Sequence, residues 1–357
     1  MKNKTHIRLI IILSAFCFLY ILFAIRPLGD ELHMTPDWTS SIARPETVED
    51  TEGLIPFKLG QSIGYFTADG KIAMTLPCPF NATVSSSYYA TYGADNKTTV
   101  VKNKDGTTAL TLTTPGFPFF DEDRLYMFMP GGNAVAQFGP DASMLWQYES
   151  YAPITAFDTS AGATAIGFAD GQVVTIRKDG VIDQQFYPGG SEIPVTLGVG
   201  ISEDGSLVGC VTGQRQQRFS VSKKNEGNSI IIFHEYLPSD LIRQTVIKFN
   251  KQANTVYYGY DGGLGIVDIN ISAIHHAKSY HIPLKGSVSQ IEEAEAPNLV
   301  FVLSHEGNLY TLTVLEPFDH VLSQASFEAQ AAFLQIRGDA IFIGRDDKIS
   351  RLTVSEK

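Results

Sequence analysis

The strongest constraint in this sequence is a recurring unit of roughly 40 residues, built from short β-branched and aromatic runs joined by tight turns. The clearest copy spans 153–186 and reads PITAFD, ATAIGFADG, QVVTIRKDG and VIDQQF, four strands with three tight connections. Related units fill 82–113, 116–148, 194–236, 245–284 and about 287–325. The turn between second and third strands falls near residues 60, 95, 131, 170, 213, 261, 306 and 346. Asp-Gly pairs begin at 69, 105, 170, 179, 204 and 261, and suit such turns because Gly tolerates positive φ and Asp bonds its own backbone. A sandwich would not keep this spacing, and a parallel β-helix would repeat at a much shorter interval. The pattern predicts an all-β fold, a β-propeller of four-stranded blades.

Six units are complete. Residues 54–76 (LIPFKLG, SIGYFTADG, KIAMTL) and the last segment (AAFLQI, AIFIGR, ISRLTV) supply three strands each. The total of about 30 favours eight blades, needing about 32, with seven blades, needing about 28, as the alternative. The N-terminal strands are expected to complete the C-terminal blade, because an open ring leaves a whole strand edge unpaired.

Ahead of the repeats, residues 9–25 (LIIILSAFCFLYILFAI) carry no charge and show no polar face. As a helix the run would cover roughly 26 Å, enough for a bilayer core. Lys2, Lys4 and Arg8 precede it, while Asp30, Glu31 and Asp37 follow soon after Arg26. The positive-inside rule then predicts a cytoplasmic tail over 1–8, a membrane anchor over 9–25, and everything later on the extracytoplasmic side. The run ends FAIRP, without the small residues a signal peptidase needs, so the anchor is expected to stay uncleaved. Residues 26–52, with three Pro and many acids, read as a linker, and 53–357 as the propeller domain.

The units resemble the propeller repeats of the quinoprotein-like and WD-repeat-like superfamily. TADGKIAMTL, KDGTTALTL and GPDASMLWQY are similar to that family's turn and outer strand, and Trp146 stands where the quinoprotein-type repeat often carries a Trp. The resemblance implies a propeller with a central channel, over roughly 53–354. Its dehydrogenases use adjacent cysteines, a Trp in nearly every blade and a carboxylate set for Ca²⁺. This chain has only Cys17, Cys78 and Cys210, and only Trp38 and Trp146, so no quinone cofactor is expected. Non-catalytic relatives that scaffold assembly are the better analogy.

A net charge of −11 argues against a nucleic-acid surface. Without residues 1–26 the chain keeps 23 Lys and Arg against 38 Asp and Glu, a net −15 that anionic headgroups would repel. No zincin, nucleophile-elbow or P-loop motif occurs. His275, His276 and His281 form the one ligand-like cluster, yet adjacent histidines on a strand face opposite ways, so no metal is expected there. Asp261-Gly-Gly-Leu-Gly265 reads as a hairpin because a strand, not a helix, follows. Cys210 reads as a small buried apolar residue. No catalytic, cofactor-binding or metal-binding residue can be named. Segments 214–227 and 236–244, Tyr151 and the pair Phe119-Phe120 are the candidate binding features. The expectation is a membrane-anchored, protein-binding scaffold; the alternative is an enzyme with a polar site in the channel, acting on a carbohydrate or a quinone-dependent substrate. Two or more channel-mouth carboxylates or histidines with shifted pKa values would favour the enzyme.

Overall fold

The structure, a computed structural model, describes residues 32–93, 97–225, 228–238, 240, 243–269, 277–294, 298–316, 318 and 320–356, and also 13, 14, 16 and 20. Eight antiparallel sheets follow one another along the chain, seven with four strands and one with three. They are the blades of a propeller: blade 1 covers 55–77, blade 2 81–112, blade 3 117–149, blade 4 154–186, blade 5 196–236, blade 6 247–283 and blade 7 287–328. Blade 8 joins residues 332–356 to Leu32–Ser41. The six units read as complete each correspond to one blade, and eight blades rather than seven close the ring.

Each Asp-Gly pair turns the chain as its chemistry requires. Gly70, Gly106, Gly171, Gly180, Gly205 and Gly262 all have φ between 75° and 96°, a region without steric cost only for glycine. The two middle strands of a blade are packed on both faces, and Ala163–Phe168 and Leu207–Thr212 are buried throughout. Outer strands such as Val321–Glu328 are half-exposed. Apolar clusters fill the spaces between neighbouring sheets rather than one central core, for instance Val211, Phe219, Ile247, Val256 and Tyr258 between blades 5 and 6.

The ring closes with a strand that the sequence reading placed in a linker. Leu32–Ser41 pairs antiparallel with the last strand of the chain, Lys348–Glu356, in a register running from Leu32↔Glu356 to Ser41↔Lys348. It thereby forms the outer strand of blade 8. The alternation is hidden because this edge strand is largely exposed and contains Pro36, beside which the register shifts. Trp38 from this strand packs on Phe66 and Phe342, its ring covers Gly70, and its Nε1 donates to Ala68 O at 3.2 Å. Trp146 repeats the arrangement between blades 3 and 4. A Cβ on Gly180 would stand 2.7 Å from the Trp146 Cβ, and Trp146 Nε1 donates to Gln137 at 2.8 Å.

Blade 1 departs from the repeat in direction as well as in strand number. Its innermost strand, Ile55–Leu59, runs antiparallel to the inner strands on either side. Gly60, just past its end, approaches Ala331 at the start of the blade 8 inner strand, while Lys58 reaches Ala82 at the start of the blade 2 inner strand. Among the described residues blade 1 therefore consists of the second, third and fourth strands of a standard unit, without the first. Pro56 suits the exposed channel edge of such a sheet because it has no N–H to leave unpaired. The chain arrives there by crossing the outer edge of the blade, where Glu46 N donates to Ile72 O at 2.7 Å and Thr75 Oγ1 to Ile42 O at 2.6 Å.

Leu13, Ser14, Phe16 and Tyr20, from the apolar run 9–25, have helical backbone, and Leu13, Phe16 and Tyr20 are more than 60 % exposed. Among the described residues no helix is long and apolar enough to cross a membrane.

Candidate functional site

Outside blade 1 the inner strands run from a lower face, which holds the connections between those blades, to an upper face, and they line a central channel whose two ends differ in charge. Two cavities open at the upper end, of about 370 and 460 Å³, and they share Gln290 and Glu292. Charged groups from several blades gather here: Lys58, Asp121, Asp158, Lys248, Glu292 and Arg337.

Most of these groups are engaged in joining one blade to the next. Lys58 Nζ donates to Ala82 O at 2.8 Å, and Phe120 N to Thr83 Oγ1 at 3.2 Å. Asp121 accepts from both Thr159 and Arg124, and Arg124 also donates to Ser160 O. Asp158 accepts from Ile201 N at 2.9 Å, and Thr245 N donates to Leu197 O at 2.9 Å. Lys248 pairs with Glu292 at 2.7 Å. Gln290 holds Leu334 on both sides, donating to its O at 3.1 Å and accepting from its N at 2.7 Å. With its amide nitrogen turned toward the acceptor, Gln335 donates to Pro56 O at 3.0 Å. All eight junctions thus carry a hydrogen bond near the channel wall.

Two carboxyls in this region have shifted pKa values. Burial pushes Asp158 up to about 7, against the Ile201 and Thr159 backbone donors and Lys248, and the Asp121 charge raises it further. Burial also raises Glu293, opposed by the hydrogen bond from Tyr257 Oη at 3.1 Å. The two do not converge. Asp158 lines the 460 Å³ cavity with Glu292, whereas Glu293 turns toward Tyr257 in the space between blades 6 and 7. Among the described residues no group of three His, Cys, Asp or Glu is placed to hold a metal.

The lower end of the channel is uncharged. A cavity of about 330 Å³ is lined by Phe128, Ile154, Phe157, Leu197 and Val199, with Thr155, Gln244 and Thr245 at its polar margin, and none of its lining residues is charged. The Phe119 ring packs edge-on against Phe128 and Phe157 while remaining 38 % exposed. Gln244 Nε2 donates to Thr155 O, drawing the connection between blades 5 and 6 inward over blade 5.

The structure separates the residues singled out from sequence. Tyr151 is fully exposed in the connection between blades 3 and 4, and Tyr187, Ile193 and Tyr236 are exposed in or beside connections of the same lower face. Of the aromatic pair, Phe120 is buried and Phe119 is half-exposed against Phe157 of blade 4. Segment 214–227 is mostly the strand Arg218–Asn225, which forms a long hairpin with Asn228–Tyr236 instead of a loop. His275 and His276 lie outside the described residues. His281 pairs with Glu235 of blade 5 at 3.2 Å and stacks edge-on with Tyr260, a contact between blades. The glycines after Asp261 form a hairpin, and side chains on Gly263 or Gly265 would strike the Tyr260 and Tyr258 rings. Cys78 and Cys210 are free and buried; burial pushes the Cys210 thiol up to about 11. Sequence reading missed the junction residues because each blade contributes one or two of them, with no local motif.

Comparison with known proteins agrees with this architecture. The family described as beta-propeller protein matches residues 1–357. An uncharacterized protein of Treponema pallidum (strain Nichols) is 30 % identical over 353 residues, covering 96 % of this chain and 92 % of the relative. Among solved structures, BamB from Moraxella catarrhalis superposes with a TM-score of 0.59 at 12 % identity, over 90 % of this chain and 98 % of that one. The computationally designed Ika8 protein gives 0.58 at 14 % identity, over 92 % of this chain and all of its own. The Swd1 propeller domain of Myceliophteria thermophila gives 0.52 at 12 % identity, over 87 % of this chain and all of its own. At such identities the likeness to solved structures is one of fold. Blade count, closure and the full-length match together place the chain in the beta-propeller protein family.

Proposed function

We propose that this protein is a membrane-tethered, extracytoplasmic propeller that binds protein and serves as a scaffold or assembly factor. The observation that carries the reading is how the channel's polar groups are used. Most of the charged side chains named at the upper end, Lys58, Asp121, Asp158, Lys248 and Glu292, are taken up in ties between blades, which stiffens the ring, while exposed aromatic residues stand in the connections of the lower face. A rigid disc presenting aromatic loops suits protein recognition, where Tyr residues are enriched. The uncharged run 9–25 and the exposure of Leu13, Phe16 and Tyr20 support the tether.

Chemical cross-linking in native membranes, followed by solubilisation and capture of the full chain, tests the reading. A reproducible stoichiometric protein partner is expected; its absence, with a substrate turned over instead, would reject it. The enzyme reading keeps one specific observation, Asp158 titrating near neutrality at the wall of the 460 Å³ cavity. It requires that Asp158→Asn abolish a turnover that the parent protein performs.

A further inference from the structure

We propose that the uncharged cavity at the lower end of the channel is a receptor for a pair of apolar or aromatic side chains presented by a loop of a partner protein. The proposal rests on the protein-binding reading above and assigns it a site. Leu197, Ile154, Phe128 and Phe157 form the walls, and Phe119 continues the apolar surface toward blade 2. At about 330 Å³ the cavity is at the small end of ligand sites, and fits one or two side chains better than a folded element. Phe128 and Phe157, each only partly buried, leave aromatic surface in this uncharged cavity that an apolar side chain of a partner would cover.

The chemistry of the occupant follows from the lining and from the path of the chain. The two cavities at the opposite end are bordered by acids and bases, whereas this one sets the side chains of Phe128, Ile154, Phe157, Leu197 and Val199 beside uncharged polar groups and offers a bound partner no charge. A charged ligand entering it would lose hydration without compensation. The protein's own apolar run cannot supply the occupant. The strand Leu32–Ser41 begins at the upper face, where Leu32 pairs with Glu356, and runs down to Ser41 beside Lys348. Residues 26–31 span roughly 22 Å at full extension, too little to lead from the outer rim of blade 8, around the sheet and into the channel from below. For the same reason, a run 9–25 held in a bilayer draws the upper face toward it and leaves the lower face toward soluble partners. Tyr151, fully exposed near this end, extends the contact surface beyond the cavity.

Selection of short random displayed peptides on the full-length protein in lipid nanodiscs, with empty nanodiscs as the counter-selection, tests the site. Retained peptides are expected to share an uncharged apolar or aromatic pair, and Leu197→Asp to weaken them tenfold or more, while Asp141→Asn on the upper face leaves them unchanged. Phe119→Ser, at a half-exposed position, provides a second variant should Leu197→Asp fail to fold, which thermal unfolding reports. Peptides without an apolar pair, or bound undiminished by folded Leu197→Asp and by Phe119→Ser beside the cavity, would overturn the proposal. Displacement of bound peptides by phosphatidylglycerol vesicles would also overturn it, assigning the cavity to lipid. A cross-linked partner captured equally well by folded Leu197→Asp would remove this site and leave the scaffold reading standing.

Discussion

Asp158 shows how a single residue couples the channel to stability. Its carboxyl is raised to about 7 by burial, while in the unfolded chain it titrates near the ordinary value of 3.8. Between those values the folded protein holds a proton that the unfolded chain has released, so stability falls as pH rises from about 4 to 7 and then levels off. The group's share is roughly 2–4 kcal/mol across that window. Asp158→Asn keeps an acceptor for Ile201 N–H and removes the titration, so its urea midpoint should vary less between pH 4.5 and 8 and exceed that of the parent at pH 8. A parallel pair of pH curves would show that Asp158 titrates normally. Gly180 makes a different residue-scale test. Its φ of 80° and the 2.7 Å approach of Trp146 to any added Cβ leave no room for alanine, and Gly180→Ala should cost about 1–3 kcal/mol. Gly132, with φ 72° and no atom within 4 Å of an added Cβ, separates backbone strain from the clash: Gly132→Ala should cost less than half as much in the same melt.

At the scale of the strand, closure distinguishes what was legible in the sequence from what was not. The periodic turns were legible because Asp-Gly pairs perform the same backbone task each time, and the middle strands because two-sided burial demands continuous apolar runs such as ATAIGF and LVGCV. Leu32–Ser41 was not legible, because an edge strand with one neighbour tolerates Pro36, an acid and a register shift, and most of its side chains meet water. The reversed blade 1 was half-legible: its three strands could be counted, but their direction depends on residues 42–54 crossing the blade, which leaves no periodic trace. The ring of junction hydrogen bonds was the least legible feature, since the partners at each tie lie about one blade apart in sequence, or, for Gln335 and Pro56, near opposite ends of the chain. The closing strand gives the element-scale prediction. A chain lacking residues 1–31 should melt at the temperature of the parent, whereas one lacking 1–41 should lose several degrees and begin to associate, because the strand Lys348–Glu356 becomes an unpaired edge and Trp38 leaves Phe66 and Phe342. Equal melting temperatures for the two truncations would mean that Leu32–Ser41 contributes nothing to closure.

For the whole molecule, the decisive geometric fact is that the chain joins the disc at its upper rim. Leu32 stands at the upper face of blade 8, and only about six residues separate it from the apolar run, a reach of roughly 22 Å. If 9–25 spans a bilayer, the disc cannot turn its lower face to the lipid without stretching that connection around its own thickness. The net charge of −15 on residues 27–357 further opposes any flat approach to anionic headgroups, so the disc should stand off the surface with its upper rim nearest. Single fluorophores at Asp69, in the upper turn of blade 1 beside blade 8, and at Tyr151, on the lower face, can be compared in full-length protein reconstituted with acceptor-labelled lipid. Transfer to lipid should be stronger from position 69 than from position 151, and raising the salt concentration should increase both by screening the acidic disc. Stronger transfer from 151 would mean that the lower face meets the membrane, and the uncharged cavity would then be a lipid site. Equal and negligible transfer from both would mean that the chain is not held at the bilayer by residues 9–25, which removes the tether while leaving the eight-bladed ring and its closing strand intact.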